Sequence, residues 1–475
     1  MAAHDVVSVP VDHPMHTSKE DVAVVREQQS LGIYTRAKST HSSNPPTPTE
    51  HDDKQDYGSF KDSLKAPVHR WFTYPAGYSH KFVEAKINQH GIGSGDIVGD
   101  PFLGTGTTSL AARMLGVHSI GVEAHRFVHW VAQTKLFINH DLALLAKYVE
   151  EVVTEARMLA KNAKHQGIWP DLVYKCFSDG NLQQLAALRQ TIGDSDLNNE
   201  SREFLKLALT ATLRVVTTAG AGWPYIAPSK YAERKVERHA LTEFQTQCHK
   251  MLDDLHHVQE LAIPFSSHHV LLGDARHFDE YTGDEALDLV VTSPPYLNNY
   301  DYADRTRLET YFWGEMSSWA DISREIRDHL VMAATTQVSM SAMNGVRECP
   351  GIRSVAPDVH ADLSEIIDRL TEMRAIKRGK KTYDYVVAGY FEDMLQVMQS
   401  TARAIKPGGR FVLVVGDSAP YGVHVATEHI LGRLGLATGF HTYDVEELRT
   451  RGGKWGHNPQ RHKVPLRESV LTLVK

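Results

Sequence analysis

The hydrophobic pattern along the chain alternates between short β-like runs and longer segments with helical periodicity. Apolar, mostly β-branched runs predict strands at 96–98, 119–122, 270–272, 287–291 and 410–415. After Leu142, and again over 203–216 and 241–261, apolar residues recur at spacings of three and four, as on one face of a helix. This alternation predicts an α/β fold, in which crossover helices cover a mostly parallel sheet.

Composition limits the classes of protein that this fold could serve. The chain has 475 residues, of which 42% are hydrophobic and 23% charged, so it can bury a large core. Three well-separated cysteines indicate neither a disulfide framework nor a metal site, and we expect no metal and a reducing, cytoplasmic environment. No signal-like start and no apolar stretch of about 20 residues is visible, so we expect no membrane role. The net charge of -7 means that any nucleic-acid site needs a local basic face.

A glycine loop follows the first predicted strand in IVGDPFLGTGTTSLAARMLG, residues 97–116. The strand runs into Asp100, and Gly104 and Gly106 permit a tight turn and close approach of a ligand to the backbone. Thr107 and Thr108 are placed to cap the next helix. The alternative, if this loop is taken alone, is that the glycines only allow the turn between a strand and a helix and bind no ligand.

Acidic residues end two further predicted strands. In SIGVEAH, Glu123 can accept hydrogen bonds from two ribose hydroxyls, about twenty residues after the glycine loop. In HVLLGDARHF, Asp274 can accept a hydrogen bond from an exocyclic amine such as that of adenine. GTGTT lacks the third glycine of a dinucleotide fingerprint, so a nucleoside site other than NAD is favoured.

Two prolines stop the strand at 287–291 in LDLVVTSPPY. A polyproline kink after a buried strand would explain Ser293-Pro294-Pro295-Tyr296 without any chemistry. However, this is the fourth predicted strand that ends in polar residues suited to binding a ligand, and the carboxyl ends of parallel strands meet at one crevice. We therefore expect all four to converge on one site.

DPFLGTGTT, GVEAH, GDA and TSPPY, in that order, resemble the motifs of S-adenosylmethionine-dependent methyltransferases that modify exocyclic amino groups of DNA bases. The resemblance is closest to the N4-cytosine type of DNA modification methylase. It extends to RWFTYPAGYSHKFVEAKI, KPGGRFVLVVGDSA and VPLRESVLTLVK, and covers residues 70–130 and 270–475. It implies a Rossmann-like methyltransferase fold, with a mostly parallel seven-stranded sheet and helices on both faces, S-adenosyl-L-methionine as cofactor and double-stranded DNA as substrate.

The resemblance also implies roles for individual residues. Those expected to bind the cofactor follow the first three strands: Asp100, Pro101, Phe102, Gly104, Gly106, Thr107, Thr108, Glu123, Asp274 and Ala275. Those expected to be catalytic form the turn Ser293, Pro294, Pro295 and Tyr296. Ser293 Oγ and the Pro294 carbonyl can accept hydrogen bonds from the target amine, and Tyr296 offers a ring on which a flipped base can stack.

Three functions are weighed on this basis. Serine in the first position of SPPY leans toward N4 of cytosine, and adenine N6 is the alternative on the same fold. The other class is a catalytically silent, methyltransferase-like subunit that only binds nucleic acid. The family implies a restriction-modification or epigenetic role in a prokaryotic-type, nucleoid-associated cytoplasmic location. The oligomeric state, the recognition sequence and a cognate restriction endonuclease stay open.

The chain is divided by composition, pattern and resemblance into six parts. They are a polar arm at 1–57, expected to be disordered; core parts at 58–125, 265–300 and 388–475; a helical insertion at 126–264; and a second insertion at 301–387, expected to read the target. Asp417 in VVGDSA stands where an asparagine is expected.

Two basic segments are candidates for contact with DNA phosphates. RAIKRGKK, residues 374–381, contributes Arg374, Lys377 and Arg378. The glycine-containing segment 448–468, expected to be a flexible loop, contributes Arg449, Arg451, Lys454 and Trp455. A solvated loop without function is the alternative for either segment.

Overall fold

A computed structural model describes residues 57, 61–74, 77–162, 167–222, 225–231, 238–298, 300–338, 345–451 and 464–475. The arm predicted at 1–57 therefore lies outside the described residues, apart from Tyr57. The strands in chain order are β1 (Ile97–Asp100), β2 (His118–Glu123), β3 (Ala219–Gly222), β4 (Tyr225–Tyr231), β5 (His268–Leu272), β6 (Leu287–Thr292), β7 (Ile405–Gly416), β8 (Thr442–Arg451) and β9 (Leu466–Val474).

The α-helices alternate with these strands in the core and predominate in the two insertions. In chain order they are α1 (His80–Gln89), α2 (Thr107–Met114), α3 (Arg126–Leu136), α4 (Leu142–Asn162), α5 (Asp171–Cys176), α6 (Asp179–Asp194), α7 (Asn199–Val216), α8 (Ala240–Glu260), α9 (Phe278–Thr282), α10 (Tyr302–Arg305), α11 (Arg307–Trp313), α12 (Trp319–Glu325), α13 (Pro350–Val355), α14 (Pro357–Ile376), α15 (Tyr383–Ala404) and α16 (Thr427–Ala437). None of the described helices is long and apolar enough to cross a membrane.

The core is a seven-stranded sheet in the order β5-β2-β1-β6-β7-β9-β8. Neighbours from β5 to β7 pair in parallel, and β9 runs antiparallel between β7 and β8. This arrangement confirms the predicted Rossmann-like methyltransferase fold with a mostly parallel sheet. All five predicted strands belong to this sheet, and each extends beyond its predicted bounds at one end or both, although β1 begins at Ile97 and not at Asp96.

Alternation of side chains along β6 shows why the sheet is covered on both faces. Val290 packs into a cluster with residues of α14, α15 and α16, whereas Leu289 and Val291 pack into a cluster with residues of α1 and α2. All three side chains are fully buried. A strand that is apolar on both faces is stable only between two helical layers, as in other parallel sheets.

The C-terminal end of the sheet differs from the prediction for 448–468. Leu448 to Arg451 belong to β8 and Leu466 to Glu468 belong to β9, so the ends of this segment are paired strands rather than a flexible loop. Arg449 lies directly opposite Glu468 in the ladder. The cross-strand ion pair is a tertiary contact that the glycines and basic residues of the sequence do not reveal.

The insertion predicted at 126–264 is mainly helical, and residues of its helices α4, α6, α7 and α8 share one hydrophobic cluster with the segment before α1 and with α10, α11 and α12 of the second insertion. Buried Asp254 joins α8 to the segment before α1. Its carboxylate accepts hydrogen bonds from the Val68 N–H, from the Arg70 guanidinium and, at 3.0 Å, from Trp71 Nε1. The insertion thus holds in place the chain segment that leads into the site. β3 and β4 pair with each other, and Trp223 and Pro224 lie outside the described residues.

Candidate cofactor and catalytic site

The carboxyl ends of β5, β2, β1 and β6 lie side by side, because these strands are neighbours and parallel. One cavity opens at this edge of the sheet. The predicted residues that line it come from all four strand ends: Pro101, Phe102, Gly104, Thr107, Glu123, Asp274, Ala275, Ser293 and Pro295. Residues separated by up to 194 positions in the chain (295 − 101) are therefore brought together by strand order.

The glycine loop supplies one wall of this cavity. Gly104 has a φ of 57° and Gly106, the N-cap of α2, has a φ of 91°, and both values lie in the left-handed region that favours glycine. A Cβ atom at Gly104 would lie 3.9 Å from the Phe102 carbonyl oxygen, its nearest protein neighbour, whereas one at Gly106 would lie 3.4 Å from Ala132 Cβ. Gly104 thus leaves room at the cavity, and Gly106 leaves room for α3.

Asp100 lies beneath the loop and is fully buried. Its carboxylate accepts hydrogen bonds from the Phe102 N–H at 2.9 Å, from the Thr292 hydroxyl at 2.6 Å and from the Thr108 hydroxyl. Burial raises the pKa of Asp100 to about 6, although these three donors act in the opposite direction. Asp100 and Thr108 therefore join the loop, α2 and the end of β6 from inside the protein.

Glu123 at the end of β2 lines the cavity and is half-buried. One carboxylate oxygen accepts from the Gly104 N–H and the other from the His125 N–H, each at 2.8 Å. Each oxygen keeps a second lone pair for a ligand. Burial raises the pKa of Glu123 to about 7, and the N–H donors oppose that shift. The side chain thus supports the glycine loop as well as facing the cavity.

Asp274 follows β5 and is held by an ion pair with Arg276. Arg276 Nη2 lies 2.6 Å from Asp274 Oδ2, and Arg276 Nη1 lies 2.9 Å from Asp393 of α15. Asp393 also accepts a hydrogen bond from the Met332 N–H. The predicted cofactor carboxylate is therefore connected, through one arginine, to the second insertion.

The turn after β6 presents Ser293 and Pro295 to the cavity. Tyr296 is half-buried, and its hydroxyl donates a 2.7 Å hydrogen bond to Glu468 Oε1 of β9. The Arg451 guanidinium lies 5.0 Å from the centre of its ring. Burial and the neighbouring Glu468 raise the pKa of Tyr296 well above its ordinary value, so the hydroxyl keeps its proton.

Eleven cavity residues were missing from the predicted set: Tyr74, Gly77, Tyr78, Leu103, Thr105, Ala124, His125, Tyr302, His329, Leu330 and Val331. Tyr74 and Tyr78 lie in RWFTYPAGYSHKFVEAKI, and His125 ends GVEAH, so their motifs had been recognised without these positions. His125 Nε2 lies 2.7 Å from Thr306 Oγ1, and burial lowers the pKa of His125 to about 4. Leu330 and Val331 come from the second insertion, where no sequence pattern marked them.

The basic residues predicted to bind DNA lie in different surroundings. Arg374 pairs with fully buried Asp384 at 2.8 Å, and Lys377 Nζ donates to the Tyr421 carbonyl, whereas Arg378 is exposed. Arg449 Nε pairs with Glu468 Oε2 at 2.5 Å, and Arg451 lies against Tyr296. Lys454 and Trp455 lie outside the described residues.

The sheet order defines a Rossmann-like methyltransferase fold. Among the described residues, no group of three or more His, Cys, Asp or Glu side chains could hold a metal ion.

Comparisons with known proteins agree with this class. Residues 9–134, a span that begins within the polar N-terminal segment, match a family model of N6/N4 methyltransferases described as DNA methylase. The chain is 23% identical over 460 residues to the Type II methyltransferase M.BsoBI of Geobacillus stearothermophilus, covering 87% of this chain and 86% of that protein. It is 21% identical over 434 residues to the Type II methyltransferase M.AvaI of Nostoc sp., covering 87% of each.

A shorter match, 30% identical over 95 residues, joins the chain to the Type II methyltransferase M.MjaII of Methanocaldococcus jannaschii and covers 20% of this chain and 18% of that protein. These matches support membership of the N6/N4 family of DNA methyltransferases. This family implies S-adenosylmethionine as the methyl donor and DNA as the substrate.

Proposed function

We propose that the protein transfers a methyl group from S-adenosylmethionine to the exocyclic N4 of a cytosine flipped out of double-stranded DNA. One observation carries the proposal. Ser293 and Pro295 line the same cavity as Gly104, Glu123 and Asp274, so an acceptor for an amine adjoins a set of residues suited to a nucleoside. A silent subunit that only bound nucleic acid would need neither half of this cavity.

The residues of the cavity fit S-adenosylmethionine. Gly104 would face the methionine part, Glu123 would accept hydrogen bonds from the ribose hydroxyls, and Asp274 with Ala275 would lie at the adenine. Arg276 donates to the Asp274 carboxylate from its backbone N–H, Nε and Nη2, so about one of the roughly four lone-pair sites of the carboxylate is left for an amine. The cofactor, when bound, supplies a methyl group on a sulfonium centre that is open to attack by a nucleophile.

The turn after β6 would act on the target base. The amino nitrogen of cytosine is a weak nucleophile because its lone pair is delocalised into the ring. Hydrogen bonds from this amine to Ser293 Oγ and to the Pro294 carbonyl favour the tetrahedral nitrogen, whose lone pair is free to attack. Pro294 and Pro295 have no N–H that could compete for an acceptor, and their rings fix the direction of the carbonyl.

The contact between Thr292 and Asp100 supports the geometric part of this mechanism. Thr292 immediately precedes Ser293, and Asp100 immediately precedes the loop that would hold the cofactor. Their hydrogen bond fixes the amine acceptor relative to the cofactor loop. Alignment of nucleophile and methyl carbon within a few tenths of an ångström is a large source of rate in such reactions.

We extend the proposal to a restriction-modification role, in which methylation of a specific sequence protects DNA from a cognate endonuclease. The names of the relatives as Type II methyltransferases support this extension. The second insertion, which contributes Leu330 and Val331 to the cavity, is the proposed target-reading region. Exposed Arg378 is the best placed of the described candidates for a phosphate contact.

The test is to express the protein in a methylation-free host and to sequence the DNA by a method that distinguishes N4-methylcytosine from N6-methyladenine. N4-methylcytosine at one repeated sequence is the expected result. N6-methyladenine would overturn the choice of base and leave the family role intact. Unmodified DNA, with purified protein that binds S-adenosylmethionine but methylates no duplex, would overturn the function.

A further inference from the structure

Tyr296 is held at its hydroxyl end by a carboxylate from a distant part of the chain. Glu468 of β9 accepts the Tyr296 hydroxyl hydrogen bond at 2.7 Å, although the two residues are 172 positions apart. Glu468 is 2% exposed. Burying a carboxylate costs free energy unless its oxygens accept hydrogen bonds, so this contact belongs to the packed interior and is not an incidental contact between surface side chains.

The second oxygen of Glu468 is held from the opposite side. Arg449 of β8 lies directly opposite Glu468 in the ladder, and its Nε donates to Glu468 Oε2 at 2.5 Å. In the other direction Glu468 lies opposite Gly416, the last residue of β7. Tyr296 and Arg449 thus donate to different oxygens of Glu468. Rotation of the carboxylate would break at least one of these two hydrogen bonds.

Gly416 provides the space in which this arrangement packs. A Cβ atom at Gly416 would lie 2.0 Å from Arg451 Nη1 and 3.0 Å from Tyr296 Cδ2. Arg451 lies over the Tyr296 ring and donates to the Asp417 carbonyl at 3.3 Å. The tyrosine ring is therefore bounded by the backbone of β7, by the Arg451 guanidinium and, at its hydroxyl, by Glu468.

We propose that Glu468 is a positioning residue, which fixes the direction of the Tyr296 side chain so that its ring can receive the flipped base. This inference rests on the proposed function and names a residue outside the SPPY turn. A side chain that can swing between positions must be ordered each time a base arrives, and that ordering subtracts from the stacking energy. The hydrogen bond to Glu468 holds the hydroxyl end of Tyr296 in place before DNA binds.

The test compares the rate of methyl transfer in a cycle of four proteins: wild type, Glu468→Ala, Tyr296→Phe and the double variant. Tyr296→Phe keeps the stacking ring and loses only the hydroxyl. Each single variant is expected to slow single-turnover transfer about tenfold or more, because each breaks the charge-assisted hydrogen bond between Tyr296 and Glu468. The double variant is expected to be no slower than the slower single variant, since both remove the same contact.

Readouts besides rate separate positioning from general stability. The affinity for S-adenosylmethionine should stay within about twofold of wild type, and fluorescence of 2-aminopurine at the target position should show less flipped base. Glu447→Ala is the matched control, because Glu447 is an exposed carboxylate of the neighbouring strand that pairs with Arg467 at 3.5 Å. It should behave as wild type.

Each outcome decides the matter. If wild type itself transfers no methyl group to DNA, the proposed function fails, and the cycle is not needed to reach that result. If wild type is active and Glu468→Ala is equally fast, or if its effect simply adds to that of Tyr296→Phe, the positioning role is wrong. Should Glu468→Ala fail to fold, Tyr296→Phe carries the test, because it removes the same hydrogen bond and leaves the ion pair of Glu468 with Arg449 in place, and a wild-type rate for it would show that the positioning role is wrong.

Discussion

The hydroxyl of Thr292 donates a 2.6 Å hydrogen bond to the carboxylate of Asp100, and both side chains are fully buried. The two residues end adjacent parallel strands, and each is followed by one half of the proposed site. This contact therefore makes the distance between the cofactor loop and the amine acceptor a property of the core.

Thr292→Val should destabilise the protein by about 1–2 kcal/mol, because the buried Asp100 carboxylate loses one donor while the volume is kept. Denaturant unfolding measures this change. Ser109→Ala is the control, since Ser109 Oγ is a buried hydroxyl of α2 without a hydrogen-bond partner among the described residues. Equal stability of the Thr292 variant and wild type would show that the bond contributes nothing.

Glu123 should make cofactor affinity depend on pH. Its pKa is raised to about 7, and ribose hydroxyls donate to the ionised form, so affinity should rise as the pH increases from 6 to 8. The stability of the free protein should change with pH in the opposite direction. Because the pKa of Glu123 is raised in the folded protein, its contribution to the free energy of unfolding is fully present below the ordinary glutamate pKa and is lost as the pH rises through about 7. Calorimetric titration in buffers of different ionisation enthalpy should also detect proton release on binding near pH 7.

Glu123→Gln should bind the cofactor more weakly at pH 8 and should remove most of this pH dependence. Glu123→Gln is needed to assign the effect, because Asp100, whose pKa is about 6, titrates in the same pH range. A pH profile that survives Glu123→Gln would assign the dependence to Asp100 or to another group.

Gly104→Val should abolish cofactor binding while costing only about 1–2 kcal/mol of stability. The added side chain meets little protein at this position, so it projects into the cavity, and the cost comes mainly from the left-handed φ. Gly95→Ala is a suitable control, because nothing lies within 4 Å of its added Cβ and its φ is not positive. Unchanged cofactor affinity of Gly104→Val would move the cofactor away from this loop.

Ser293→Ala should slow methyl transfer by about 10²-fold or more at nearly constant cofactor affinity, on the scale of one lost oxyanion-type contact. Tyr296→Ala should instead weaken capture of the flipped base, and a mismatch at the target should partly restore its rate. Single-turnover assays on matched and mismatched duplexes distinguish the two. Wild-type rates for both variants would remove the SPPY turn from the mechanism.

Arg378→Gln should weaken DNA binding and reduce the slope of log affinity against log salt by about 1, because Arg378 is exposed in the basic turn. Arg374→Gln should chiefly reduce stability, since Arg374 pairs with buried Asp384. The control is Arg369→Gln, an equal change of charge at an exposed position of α14 outside the turn. A change of slope for Arg369 equal to that for Arg378 would indicate only long-range attraction.

Local sequence determined the strands and the strand ends of this protein. Continuous apolar runs predicted β1, β2, β5, β6 and β7, because a strand between two helical layers must be apolar over several successive residues. Gly104 and Gly106 were predictable for a related reason: the turn between β1 and α2 needs left-handed φ values that few other residues adopt. Since parallel strands end at one edge, the convergence of four motifs also followed from sequence.

Only the tertiary structure decided which partner each side chain meets. Asp100 carries the sequence signature of a ligand residue, yet its carboxylate is used by Thr108, Thr292 and Phe102 inside the core. The sequence predicts that Arg449 contacts a DNA phosphate, but strand pairing places it opposite Glu468. These outcomes depend on register and on contacts across more than a hundred residues, as between Tyr296 and Glu468. Hydrophobic pattern carries no information about such pairs, because polar side chains choose partners by position in space and not by spacing along the chain.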